Sequence, residues 1–185
     1  MRRIFIAVKV VPGGNLRRMI SSFKTLLAGE NIKWVDAENI HVTLAFIGDT
    51  DEEKVEIVSS LLQVNCTDFG GFEFILKGAG VFKNFREPGA IWIGIQSSDN
   101  FHRLNDRIKS DLNNNGFKIE ERPFKPHLTI GRVKFLKSQT NLKTILEKCH
   151  DVEIQRVYVR EVILYESILR PTGPIYKPVS IIKLE

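Results

Sequence analysis

The chain has few cysteines, few histidines and no long apolar run, and each shortage narrows what it can be. Its 185 residues contain two cysteines, Cys66 and Cys149, far apart and outside any C-x-x-C or His/Cys spacing. That argues against a disulfide framework and a structural zinc site, and it fits a reducing, cytoplasmic setting. No apolar stretch approaches the roughly 20 residues needed to cross a bilayer, so no membrane role is expected. The opening MRRIFIAVKVV has a basic head and an apolar run. Lys9 interrupts that run, and Pro12-Gly13-Gly14 follow without a small-x-small cleavage pattern, so it reads as a strand and not as a signal peptide. There is no G-x-x-x-x-G-K-[ST] loop and no G-x-S-x-G elbow, which leaves nucleoside-triphosphate hydrolysis and serine-hydrolase chemistry without a foothold. No linker, low-complexity segment or charge block divides the chain.

What is present is an ordinary globular composition, 43% hydrophobic and 26% charged, with a net charge of +5 and a pI near 9.2. The positive balance favours an anionic partner, of which nucleic acid is the commonest. Periodicity divides the chain into alternating elements. Arg3 to Val11 reads as a strand. Leu16, Met19, Ile20, Phe23, Leu26 and Leu27 form one helical stripe. Ile40 to Ile47 is a strand ended by Gly48-Asp49, after which Thr50 to Glu53 has capping-box spacing for a helix built on Val55, Ile57, Val58, Leu61 and Leu62. Phe72 to Val81 is again a strand. The order then repeats: a strand at Ala90 to Ile95, a helix capped by Ser98 or Asp99 and carrying Phe101, Leu104, Ile108 and Leu112, a strand from His127, a helix around Leu142, Ile145 and Leu146, and one long strand from about Ile154 to Leu169. A last strand covers Ile175 to Leu184.

This pattern predicts an α+β fold of tandem β-α-β-α-β units, with pseudo-repeats at about 1–88 and 89–185, in a single bilobal domain spanning 1–185. From Phe5 to His41 is 36 residues and from Trp92 to His127 is 35. Two antiparallel lobes around a central cleft would bring equivalent strands face to face. Nothing in the sequence calls for an obligate dimer, and a monomer is expected.

Both equivalent strands carry the same signature, HVTLAF at 41–46 and HLTIGR at 127–132. With four histidines and eight threonines in the chain, two His-x-Thr pairs would arise by accident roughly once in a hundred sequences. A single copy would be read as a structural histidine beside a good strand former. Two copies at matching places call for a shared cause. Alternation turns His41 and Thr43 to one face and Val42 and Leu44 to the other. Two imidazoles on one cleft can serve as base and acid in a single displacement at phosphorus, and the threonine hydroxyls can donate to the non-bridging oxygens. Neither task needs a metal or a cofactor. Such a pair implies a bell-shaped pH profile with limbs on either side of the unperturbed imidazole value of about 6.5. His102 and His150 lack this context and read as surface residues.

The paired motifs, together with RRIFIAV, AIWIGI and EVILYESILRPTGPIY, resemble the two-histidine (2H) phosphoesterases, in particular the bacterial and archaeal RNA 2′,3′-cyclic phosphodiesterases once called 2′-5′ RNA ligases. The resemblance extends over the whole chain. It implies two mainly antiparallel sheets flanking a V-shaped cleft, and metal-independent opening of a terminal 2′,3′-cyclic phosphate on RNA, or of a small cyclic nucleotide, to a 2′-phosphate. It also implies the roles: His41 as acid on the departing 3′ oxygen, His127 as base on water, Thr43 and Thr129 on the phosphate oxygens, and Arg132, five residues after the second histidine, as a further phosphate contact.

Strict alternation conflicts with that last role, since it turns Arg132 away from the face of His127. Gly131 could mark a bulge that re-aims it. Phe46 matches a family position too, which leaves it two readings, contact with a base or, by alternation, packing in the core. Two rival classes stay open at this stage: a non-catalytic module that holds an RNA end through Arg17, Arg18, Lys125, Lys134 and Lys137, and metal-dependent hydrolysis with the two histidines as ligands, for which the sequence offers no third ligand at a suitable spacing. Ligation of a cyclic end to a 5′ hydroxyl is a further alternative direction of the same chemistry.

Overall fold

The structure is a computed structural model that describes residues 1–83, 88–96, 99–119, 123–171 and 173–184. In chain order its elements are β1 (Arg2–Lys9), α1 (Gly14–Leu26), β2 (Asn31–Trp34), a 3-10 turn (Ala37–Asn39), β3 (His41–Thr50), α2 (Glu52–Cys66), β4 (Phe72–Lys83), β5 (Pro88–Gln96), α3 (Asp99–Asn114), β6 (His127–Phe135), α4 (Thr140–Cys149), β7 (Glu153–Val159), β8 (Glu161–Ile168) and β9 (Ile175–Lys183). Among the described residues no helix is long and apolar enough to cross a membrane.

The nine strands join in one sheet of order β7-β4-β5-β6-β3-β1-β8-β9, with β2 added along β6. Every strand pair is antiparallel. The two central strands, β3 and β6, meet at a single pair, Val42 with Leu128. Beyond it they diverge, and β2 fills the gap by pairing with Gly131 to Phe135. The sheet is thus continuous through the two motif strands at that one pair, and the face turned away from the helices there is the cleft side.

One face of the sheet is covered by helices. Ile4, Ile6 and Val8 of β1, Val42 and Leu44 of β3, Ile91 and Ile93 of β5 and Leu128 and Ile130 of β6 share a core with Leu16 and Phe23 of α1, Val58 and Leu62 of α2, Phe101 and Leu104 of α3, and Leu142 and Ile145 of α4. These are the helical stripes the periodicity selects, apart from Ile57 and Leu26, which remain exposed at 44% and 39%. On the opposite face of β1, Phe5 and Ala7 are also buried, packed beside their cross-strand partners Tyr165 and Ile163 of β8 and against Tyr176 of β9. Burial on both faces explains why β1 reads as an unbroken apolar run rather than an alternating one.

Several elements differ from the sequence reading. The long strand expected from Ile154 to Leu169 breaks at Arg160, because β7 pairs with β4 at one end of the sheet and β8 pairs with β1 near the other. Strand β2 and the 3-10 turn, both short, were not expected. Thr50 does not cap α2. It closes β3, its hydroxyl donates to the Gly48 carbonyl at 3.0 Å, and Gly48 adopts φ +90, where β3 carries an irregularity opposite Ile4 and Phe5. Asp51 takes the cap position without a side-chain bond. Of the two expected caps of α3, Asp99 opens the helix, and Ser98 lies outside the described residues.

Candidate active site

His41 and His127 open β3 and β6, and the burial pattern of the first seven residues is the same in both strands. The register sets them in a compact arrangement. Val42 pairs with Leu128, antiparallel, so one step either way places His41 opposite Thr129 and Thr43 opposite His127. Directly opposed residues project to the same face. With Val42 and Leu128 buried on the helix side, all four polar side chains lie together on the cleft side, each histidine across from the other motif's threonine.

Both motif strands carry a bulge at the same place. In β3, Thr43 pairs with Ala7 and Ala45 with Ile6, which leaves Leu44 extra. In β6, Thr129 pairs with Trp92 and Gly131 with Ile91, which leaves Ile130 extra. The extra residue turns the strand by half a period. Arg132 then pairs with Ala90, two residues from Trp92, and Phe46 pairs with Phe5, two residues from Ala7. Arg132 is thus returned to the face of His127 and Thr129, and Phe46 to that of His41 and Thr43. The bulge is at Ile130, not Gly131. Gly131 is small for another reason: a Cβ there would sit 2.9 Å from the Trp34 ring, which crosses it from β2. Phe46 is 47% exposed, with the Arg3 guanidinium 5.1 Å over its ring, so it is a cleft residue and not a core one.

A bulge leaves a backbone carbonyl without its ladder partner, and each is satisfied differently. Val35 N–H donates to the Ile130 carbonyl at 3.0 Å. The Leu44 carbonyl receives a bond from Asn105 Nδ2 at 2.6 Å, from a side chain on α3 that is 1% exposed. Replacing Asn105 with alanine orphans a buried carbonyl, at a cost of about 1–3 kcal/mol. Urea denaturation of Asn105→Ala is expected to show a stability loss in that range, and a change below about 0.5 kcal/mol would contradict it.

The imidazoles are held alike. His41 Nδ1 donates to the Asn39 carbonyl at 2.6 Å, and His127 Nδ1 donates to the Lys125 carbonyl at 2.7 Å, each two residues back along its own chain. A carbonyl only accepts, so Nδ1 carries hydrogen in both rings and Nε2 is the nitrogen left free to exchange a proton. Aromatic rings support each one. Phe5 lies 5.1 Å from His41 and Tyr176 meets it edge-on at 5.2 Å; Phe82 meets His127 edge-on at 4.6 Å. Trp92 stands 5.7 Å from Phe82 and lies across Gly80, where any Cβ would collide with the indole.

Burial among these rings pushes both histidines below the ordinary imidazole value. The carbonyl bonds oppose that shift, and the positive charge of Arg132 adds to it at both sites. For His41 a charge on His127 lowers it further. Two imidazoles and a guanidinium therefore share one local field, and that cluster attracts an anion.

Among the described residues no group of three His, Cys, Asp or Glu side chains converges as a metal site. His150 is exposed, as expected, whereas His102 is partly buried against Phe124. Sequence reasoning missed Tyr176, Phe82, Trp92 and Asn105, and the carbonyls of Asn39 and Lys125. The carbonyls have no residue-type signal, and the rings converge only through pairing of distant strands.

Comparison with known proteins adds to this geometry. The sequence model of the 2′-5′ RNA ligase superfamily matches residues 14–168. The RNA 2′,3′-cyclic phosphodiesterase of Thermotoga maritima is 35% identical over 177 residues, covering 95% of this chain and 91% of that protein. The protein of the same name from Methanocaldococcus jannaschii is 36% identical over 179 residues, covering 96% and 98%. The crystal structure of E. coli LigT complexed with 3′-AMP superposes with a TM-score of 0.77 at 25% identity, covering 99% of this chain and 98% of that one.

Proposed function

The chain belongs to the 2′-5′ RNA ligase superfamily, and from that premise we propose that its cleft hydrolyses the 2′,3′-cyclic phosphate at an RNA end, or of a small cyclic nucleotide, by proton transfer between His41 and His127. Relatives over nearly its whole length are RNA 2′,3′-cyclic phosphodiesterases, and the protein is an enzyme of that kind. In the mechanism we infer, His127 Nε2 takes a proton from the attacking water as its oxygen bonds to phosphorus. His41 Nε2 gives a proton to the 3′ oxygen as the P–O3′ bond breaks. The products are a 2′-phosphate and a free 3′ hydroxyl, and exchange with solvent returns each histidine to its starting state. Thr43, Thr129 and Arg132 hold the non-bridging oxygens as charge accumulates on them.

The observation that carries this reading is the matched fixing of both Nδ1 atoms on carbonyls, which reserves both Nε2 atoms for proton exchange. A module that only held an RNA end would have no use for that second requirement. The matching bulges and burial of β3 and β6 support reading the chain as one bilobal domain of two pseudo-repeats, about 1–88 and 89–185.

Proton transfer between imidazoles uses no Lewis acid. Incubated with EDTA and an oligonucleotide ending in a 2′,3′-cyclic phosphate, the protein is expected to turn over at its untreated rate and to yield a 2′-phosphate, identified by phosphorus NMR. Activity lost on chelation and restored by a divalent ion would overturn the metal-independent mechanism.

A further inference from the structure

His41 sits in a closed circuit of contacts that His127 does not share among the described residues. Its Nδ1 donates to the Asn39 carbonyl. The side chain of the same Asn39 donates from Nδ2 to the Pro174 carbonyl at 3.0 Å. Pro174 lies in the β8–β9 connection, and two residues on, Tyr176 returns to place its ring edge-on against His41, with an interplanar angle of 89°. Phe5 completes a three-ring cluster with them, meeting Tyr176 at 4.9 Å and His41 at 5.1 Å. One residue thus binds His41 through its backbone and fastens, through its side chain, the hairpin that carries the second support.

We propose that Asn39 and Tyr176 are positioning residues for His41, with the Asn39 side chain anchoring the β8–β9 hairpin so that the Tyr176 ring fixes the plane of that imidazole. The inference rests on the reading of His41 as a proton-transfer group, but it concerns how the ring is held and not which proton it moves. A fixed Nδ1 leaves the ring free to swing about the donor–carbonyl line. An edge-on aromatic neighbour removes that freedom, and proton transfer depends on alignment at the scale of about 1 Å. The supporting element is the ring of Tyr176, not its hydroxyl. The hydroxyl is in no described hydrogen bond, and burial raises its pKa, so it is neutral at working pH.

The charged and titratable groups facing His41 come from each neighbouring element: Lys9 of β1, its register partner; His127 and Arg132 of β6; and Tyr176 of β9. None of them is altered in Asn39→Ala, which also keeps the Asn39 backbone carbonyl.

The experiment compares Asn39→Ala, Tyr176→Ala and Tyr176→Phe in the full chain, with two readouts. Turnover of a 2′,3′-cyclic nucleotide gives kcat and KM, and long-range proton–nitrogen NMR gives the titration of each histidine without reference to activity. Asn39→Ala and Tyr176→Ala are expected to lower kcat about tenfold with KM within twofold. In both, the His41 midpoint should rise as the ring gains water, and that of His127 should stay in place. Tyr176→Phe should match the wild type in both readouts. The proposal is overturned if the two alanine variants leave the His41 midpoint unmoved, if both histidines move together, or if Tyr176→Phe behaves like Tyr176→Ala. A His41→Ala protein of wild-type activity would instead defeat the functional reading, and the NMR titrations would still judge the positioning.

Discussion

His127→Ala and His41→Ala are each expected to turn over a cyclic-phosphate end about 10² to 10⁴ times more slowly than the wild type, the usual loss when one proton-transfer partner is removed. Binding should survive, because the phosphate contacts we propose come from other side chains. Thr129 stands across from His41 and Thr43 across from His127 by the β3–β6 register, and Arg132 is carried to the same face by the Ile130 bulge. Removing one imidazole leaves all three. Single-turnover rates measured beside the affinity for the 2′-phosphate product separate the two effects: a large fall in rate with affinity changed only a few-fold. The double variant should be little worse than either single one, since the two groups serve one step. If both single variants cleave at the wild-type rate, the two His-x-Thr motifs are structural.

Arg132→Ala is expected to lower kcat/KM by about 10² to 10³, comparable to losing one donor aimed at developing charge. Its charge reaches both imidazoles as well as Tyr176, which suits the phosphate contact proposed for it. Arg132→Lys should recover only part of the loss, because an ammonium keeps the charge and lacks the planar fork that matches two phosphate oxygens. A second signature follows from the same field. With the guanidinium gone, both histidine titrations should move up toward about 6.5. An Arg132→Ala protein with wild-type kcat/KM and unshifted histidines would remove this residue from the site.

Much of this was legible in the sequence, and the parts that were not have identifiable causes. His41, Thr43, His127 and Thr129 could be read because one period-2 pattern places each pair on a single face, and that pattern is local. The helical stripes of α3 and α4 were legible for the same reason at period 3.6, and all seven of their named apolar residues are buried. The facing of Arg132 and Phe46 was not, because it depends on a bulge in each strand. A bulge is a property of two paired strands, and alternation along one of them predicts the wrong face. The break at Arg160 was hidden since β7 and β8 are both strand-forming, and only their different partners separate them. Asn105 looked like one more polar residue on an amphipathic helix. Its reason for being buried is a carbonyl 61 positions away in the chain.

The pH dependence of kcat/KM tests the central claim most directly. In the proposed mechanism productive free enzyme has His127 neutral and His41 protonated, so the rate should rise with pH as the base is freed and fall as the acid loses its proton. The sequence alone set the two limbs on either side of about 6.5. In the structure burial and Arg132 depress both imidazoles, which moves both limbs, and the maximum between them, below that value. In kcat the alkaline limb should lie higher, because the bound phosphate anion favours the protonated acid. His127→Ala should lose the acid limb and His41→Ala the alkaline one. A bell with both limbs below about 6.5 and one limb missing from each variant is the predicted result; a wild-type profile that climbs to a plateau above pH 8, or one whose two limbs survive in both variants, would contradict the two-histidine mechanism.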